Sequence, residues 1–281
     1  MRPLLTLLFA LAATAASAQS SYPPPDPSAE QAYIAARERA DAELKAISDD
    51  QAKRAADDRL LGKLQPLLQA AIGPIPMPKG FDREVMTVPD TLCCGVGLQM
   101  LDGQMFFSAT GPGQVLVTTE GIFRHWLAAH APGKEAKEAL QSGGLVATAI
   151  AANWTIGLFG ALPIATPPGA SRAVADLAYG NQGFAYGPPP QIVVSVFKGG
   201  RVYIAFVDRT ATDPPIEICG ALFAGYEAKA KAKPEDIKVS NRLQEEGQAA
   251  FEKCWAERAT NRAFPAVTKE AQTLADSLAG G

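Results

Sequence analysis

Gln191-Ile-Val-Val-Ser-Val-Phe-Lys-Gly-Gly-Arg-Val-Tyr-Ile-Ala-Phe-Val-Asp208 is the stretch whose reading decides the fold. Two β-rich runs, Ile192–Phe197 and Val202–Val207, flank Lys198-Gly199-Gly200-Arg201. Gly-Gly at the tip suits a type I′ or II′ turn, because glycine takes positive φ without a Cβ clash. Such a turn places Phe197 opposite Val202, Ser195 opposite Ile204 and Val193 opposite Phe206. The other face then carries Ile192, Val194, Val196, Tyr203, Ala205 and Val207. Both faces are largely apolar, so the hairpin is expected in the middle of a sheet covered on both sides.

Outward from the hairpin, strands and helices do not alternate regularly. That favours an α+β fold, a central mostly antiparallel sheet with covering helices, over a doubly wound sheet. Met105–Thr110 and Gln114–Thr118 are strand candidates split by Gly111-Pro112-Gly113. Glu120–Ala131 reads as a helix with Ile122, Phe123, Trp126, Leu127 and His130 on one face. Lys134–Gln141 reads as a second short helix, and Val146, Thr148 and Ile150 as a strand. The core domain is expected at 80–225.

Charged helical segments flank it. Residues 28–72 form an arm with a thin stripe of Ile34, Ala40, Leu44 and Ile47. A stronger stripe follows, Leu60, Leu61, Leu64, Leu67 and Leu68, suited to packing on the main domain. Ser48-Asp49-Asp50-Gln51 resembles a capping box, and Pro66 is expected to kink or restart the helix. Residues 226–281 are helical again. Pro234 serves as a first helical residue, and Ile237, Leu243, Ala250, Phe251 and Cys254 form the buried side. Pro265 opens a final short helix.

The N-terminus has its own signature. Arg2 precedes an apolar run, Leu4–Ala12, and Ala16-Ser17-Ala18 fits a signal peptidase, which defines 1–18 as a signal peptide and Gln19 as the mature N-terminus. A Pro-rich linker, 19–27, follows. The expected location is periplasmic or secreted. The run is shorter than the ~20 residues that span a bilayer, and no Cys sits at the cleavage point for a lipid. Cleavage leaves 263 of 281 residues and takes the net charge from −3 to −4. A near-neutral balance carries none of the basic footprint of a nucleic-acid binder.

Four Cys in an oxidising compartment favour disulfides. The expected bond is Cys219–Cys254, tying a loop after the strands to the C-terminal helix. On a chain-entropy model it constrains the unfolded state by roughly 3–4 kcal/mol. Cys93 and Cys94 are left to form a vicinal disulfide, to stay reduced, or to pair with distant Cys. Without C-x-x-C spacing, a crosslink is favoured over redox chemistry.

Between Ala139 and Phe197 only Arg172 and Asp176 are charged. This charge-poor stretch, which contains Trp154, has three readings: a buried sheet with its covering helix, an apolar groove or partner surface, or a membrane span at Leu145–Ile164. Asn153, Thr155, Gly157, Gly160 and Pro163 weaken the last. Ser171 is expected to cap a short helix ending at Gly180. Arg172 and Asp176, four apart on it, form an exposed ion pair or face a pocket. The loop Gly180–Gly187 offers Asn181, Phe184 and Tyr186 to the same pocket or interaction surface.

Catalytic patterns are weak. His125 and His130 lie about 140° apart around a helix and do not converge on a metal. There is no zinc spacing, G-x-S-x-G elbow or phosphate loop, so no cofactor is expected. The expected role is therefore a non-catalytic binding or assembly module of the cell envelope. Its ligand is an envelope protein partner or a small apolar molecule. The alternatives are a periplasmic hydrolase using a His and a carboxylate, and a structural protein that oligomerises through the helical arms.

Overall fold

The computed structural model describes residues 22–75, 77–81, 83–85, 101–108, 113–130, 156–180, 191–233, 235–259 and 264–280. Seven strands form one antiparallel sheet: β1 (Arg83–Val85), β2 (Gln104–Phe107), β3 (Gly113–Thr119), β4 (Ile156–Leu162), β5 (Arg172–Gly180), β6 (Gln191–Lys198) and β7 (Arg201–Asp208), in the order β1-β2-β3-β7-β6-β5-β4. The helices among the described residues are α1 (Pro27–Ala46), α2 (Asp50–Ile72), α3 (Glu120–His130), α4 (Pro214–Lys231), α5 (Ile237–Ala259) and α6 (Pro265–Gly280). The fold is α+β.

The β6–β7 hairpin has the expected register: Phe197 pairs with Val202, Ser195 with Ile204 and Val193 with Phe206. Gly199 and Gly200 have φ of 58° and 78°, the two positive values of a type I′ turn. The hairpin is central, with β3 beside β7 and β5 beside β6. Val193, Phe197, Val202, Ile204 and Phe206 share one core with Tyr33, Leu44, Leu64, Leu68 and Phe123 from α1, α2 and α3. Ile192, Val194, Val196, Tyr203 and Ala205 share a second core with Val267, Ala271, Ala275 and Leu278 of α6. The expected final short helix thus runs for 16 residues and is the main described cover of one sheet face. Its alanines let it lie close to the strands.

The charged helices 28–72 pack on the sheet, where Leu60, Leu64 and Leu68 join the core as their stripe suggests. Asp26 caps α1, accepting from Ser28 N at 2.9 Å. Asp49, not Ser48, caps α2, accepting from Ala52 N at 2.7 Å. Pro66 does not restart α2, which is continuous from Asp50 to Ile72. The carbonyl that loses its donor belongs to Gly62, and both residues are exposed, so it is open to solvent. Gly121, at the start of α3, lies so close to α1 that any Cβ would collide with the Glu30 carboxylate, which accepts from Gly121 N at 3.1 Å.

The hairpin tip also fastens both layers. Arg201, 3% exposed, donates to Ile72 O at 3.0 Å and Pro74 O at 3.4 Å, covering the carbonyl end of α2. Lys198 donates to Ala279 O at the carbonyl end of α6. Each cation meets the negative pole of a helix. Arg201→Met is expected to lower stability by about 2 kcal/mol, because it strands the end of α2 without its charged donor. Arg201→Lys should recover only part, since an ammonium lacks the planar fork. Urea unfolding of the three proteins measures this.

Candidate functional site

The helix expected from Ser171 to Gly180 is the strand β5. Its pairing with β6 and the burial of Ala175 and Leu177 outweigh the local helix pattern. On a strand, Arg172 and Asp176 point to the same face about 13 Å apart, too far for an ion pair. Arg172 instead lies over Phe197, its guanidinium carbon 5.6 Å from the ring centroid. Phe197 in turn meets Phe123 edge-on at 5.9 Å.

Asp176 is 3% exposed and sits in register between Val193 of β6 and Ala161 of β4. No described residue gives it a hydrogen bond or a cation. Burial therefore pushes its carboxyl up to about 7. Ser195 lies diagonally across on the same face, and its hydroxyl is buried without a partner among the described residues. Trp154, Asn181, Phe184 and Tyr186, the other residues expected around this pair, lie outside the described residues. So do Cys93, Cys94, residues 1–21, 134–141 and 146–150.

Three strands of the charge-poor stretch, β4, β5 and β6, belong to the sheet, joined between β4 and β5 by the loop 163–171. Ala175, Leu177 and Ile192–Phe197 are buried in the sheet. No described helix is long and apolar enough to cross a membrane. Among the described residues no group of three or more His, Cys, Asp or Glu is placed to hold a metal. His125 Nδ1 stands 3.8 Å from Glu38 Oε1, with the Glu38 side chain 62% exposed. That is an open surface pair between α3 and α1, too wet to activate a nucleophile.

A second polar cluster has no trace in sequence spacing. Tyr33 Oη donates to Asp102 Oδ2, and Arg37 Nη1 lies 3.0 Å from both Asp102 oxygens. Burial first, then the Asp102 charge, pushes the Tyr33 phenol well above its ordinary value, so it stays a donor. The cluster ties α1 to the turn before β2. Asp102 stands 69 residues along the chain from Tyr33 and 65 from Arg37.

The apolar surface lies elsewhere. Cys219, expected on a loop after the strands, lies instead on α4, which opens on Pro214 after Asp213. Asp213 is itself spent on α6, accepting from Val267 N at 3.0 Å. The helix α5 begins at Ile237, three residues later than expected, and Ile237 is 71% exposed, not buried. Asp236 accepts from Val239 N at 3.0 Å to start it. The two helices form an antiparallel hairpin with its own narrow seam. Cys219 and Cys254 are disulfide-bonded, with Cα atoms 5.7 Å apart. The bond thus joins helix to helix, not loop to helix. Next along the seam, Phe223 meets Phe251 edge-on at 6.3 Å. Then Tyr226 packs on Gly247, where a Cβ would come within 2.8 Å of the Tyr226 Cβ.

Among the described residues, none of α4 or α5 belongs to either core. Within α4 only Cys219 and Ala230 are buried among the described side chains, although the helix is rich in apolar residues. Ile218 is 46% and Leu222 44% exposed, one turn apart on the outer side. A helix pair with so thin a seam is marginal in water without a further packing partner or a covalent staple, and here the disulfide supplies the staple.

Compared with known proteins, the chain matches no family model, no curated protein and no solved structure.

Proposed function

We propose that this protein is an exported binding or assembly module of the cell envelope, and that the disulfide-stapled α4–α5 hairpin is its protein-binding element. The observation that carries the reading is the outer side of α4: apolar, helix-spaced, exposed at Ile218 and Leu222, and outside both cores. Surfaces of that kind on soluble proteins mark interaction sites. The export half rests on the signal-peptide pattern of 1–18 and on Cys219–Cys254, since disulfides persist in oxidising compartments.

Expression of the full chain in a Gram-negative host tests both halves. Mature protein beginning at Gln19 is expected in the periplasmic fraction, with Cys219 and Cys254 oxidised. A photo-crosslinker at Leu222 should give a discrete protein adduct that the same group at exposed Lys63 does not. An intact Met1 N-terminus with free thiols overturns export. Identical labelling at Leu222 and Lys63 overturns the binding element.

A further inference from the structure

From the unmet polar groups along β5 we infer that this strand carries a binding site for a short peptide with free ends, its amino terminus held by Asp176 and its carboxylate by Arg172. The site is separate from the α4–α5 hairpin, and its failure leaves that reading untouched. Three successive cross-strand pairs build it: Arg172 with Phe197, Val174 with Ser195, and Asp176 with Val193. All six side chains lie on one face of the sheet, because alternate residues of a strand and residues directly opposite share a face. Asp176 and Ser195 are 3% and 1% exposed. Neither the carboxylate nor the hydroxyl has a hydrogen-bond partner among the described residues. Buried polar groups are nearly always paired, so two neighbouring exceptions call for something that pairs them.

Arg172 closes the other end. Its guanidinium lies over the Phe197 ring, 5.6 Å from the centroid. The ring takes the flat side of the guanidinium and leaves its N–H edge without an acceptor among the described residues. Arg172 and Asp176 stand about 13 Å apart, too far to neutralise each other. One ligand can serve both. Hydrogen bonds of about 3 Å at each end leave ~7–10 Å between its charges. A chain spans at most about 3.5 Å per residue, so that is the length of two or three residues. An ammonium offers Asp176 three donors, and a carboxylate fits the arginine fork through two. Between them Ser195 is placed to donate to a peptide carbonyl, over an apolar floor of Val174, Val193 and Phe197. A bare cation would leave Arg172 unmet, and a bare anion would leave Asp176 unmet.

The position in the sheet gives access. The strand β4 is at the edge, and Ala161, directly opposite Asp176 on it, is exposed. The carboxylate therefore stands one strand in from the edge, behind a methyl group. The register of β4 shifts between Leu158 and Gly160, the kind of irregularity that recurs at sheet edges and beside active sites. Arg172 and Val174 are half-buried, so the strip between the two charges is also reached from solvent. Burial holds the Asp176 carboxyl high, a cost to folding that an apolar residue would not carry and that a bound ammonium offsets.

Isothermal titration calorimetry of the purified chain with the tripeptide Ala-Val-Ala tests the site. A dissociation constant of roughly 10–100 µM is expected. The N-acetylated and the C-amidated tripeptides should each bind about ten-fold more weakly, having lost one charge-assisted contact. Asp176→Asn should weaken the free tripeptide about ten-fold and bind it and its N-acetyl form alike. Arg172→Gln should do the same with the C-amide form, and Arg172→Lys should keep part of the preference for a free carboxylate. A disturbed fold would weaken every ligand equally, so these paired losses report direct contacts. Asp176→Asn removes an unfavourable buried charge, so its loss of binding does not come from unfolding.

No heat and no thermal shift with Ala-Val-Ala up to about 5 mM overturns the site. Binding that is unchanged when either end is blocked overturns recognition of the free ends. A preference for the free amine that survives Asp176→Asn overturns the role of Asp176, and a preference for the free carboxylate that survives Arg172→Gln overturns that of Arg172.

Discussion

Asp176→Asn is expected to stabilise the folded chain by about 4 kcal/mol at pH 8 and by almost nothing at pH 4. The carboxyl titrates at 3.8 when unfolded and at about 7 in the folded sheet, pushed up by burial. Below 3.8 both states hold the proton and the group is neutral with respect to folding. Between 3.8 and about 7 the folded chain keeps the proton and the unfolded chain has lost it. Stability therefore falls as pH rises through that window, by about 1.4 kcal/mol per pH unit, and levels off above it. Asn imitates the protonated acid and removes the dependence. Urea unfolding of both proteins at pH 4, 6 and 8 measures the effect. A difference that stays the same at all three values would show that Asp176 is not buried as an isolated acid.

Asp102→Ala is expected to destabilise by about 3–5 kcal/mol. It removes the acceptor of the Tyr33 hydroxyl and the carboxylate that Arg37 grips through Nη1 at 3.0 Å to each oxygen. Arg37 is then a largely buried cation facing Asp41, 3.4 Å away, which lies at the exposed rim. Breaking one side of a buried pair costs more than the pair itself contributes, because the desolvation of the surviving charge is no longer offset. Replacing both partners together, Arg37→Met with Asp102→Leu, should recover much of the loss. Thermal and urea unfolding of the single and double variants decide this. If the double variant is as unstable as Asp102→Ala, the damage comes from the turn before β2 and not from the stranded guanidinium.

The two groups differ in how visible they are in the chain. Asp176 stands out as one of two charges in a long neutral stretch, so a special environment could be anticipated from composition. Its geometry could not. Four-residue spacing between Arg172 and Asp176 fits a helix and a strand equally well, and Ala173, Ala175 and Ala178 carry little periodicity with which to choose. Tyr33, Arg37 and Asp102 give no signal at all. A tyrosine and an arginine on a charged helix look solvated until the sheet is packed against them.

The same contrast runs through the binding element. Cys219–Cys254 was legible, since an even cysteine count and the expectation of export favour it. The helix α4 that carries Cys219 was not. Pro214, Pro215, Gly220 and Gly225 read as loop punctuation, and the seam residues Cys219, Phe223 and Tyr226 gain meaning only when α5 lies beside them. The exposed side of α4 can be recognised only after the cores are known, because an apolar residue in sequence is expected inside.

What the sequence by itself determined is the central hairpin: its turn, its register and the burial of both its faces. Those follow from local chemistry, two glycines at positive φ and a period of two in apolar residues, and need no distant partner. Tertiary structure alone decided what covers the two faces, α1–α3 on one and α6 on the other, and which apolar side chains were left outside. That choice is made by long-range packing, in which each helix buries its best stripe against the sheet and the remainder, the outer side of α4, stays in water.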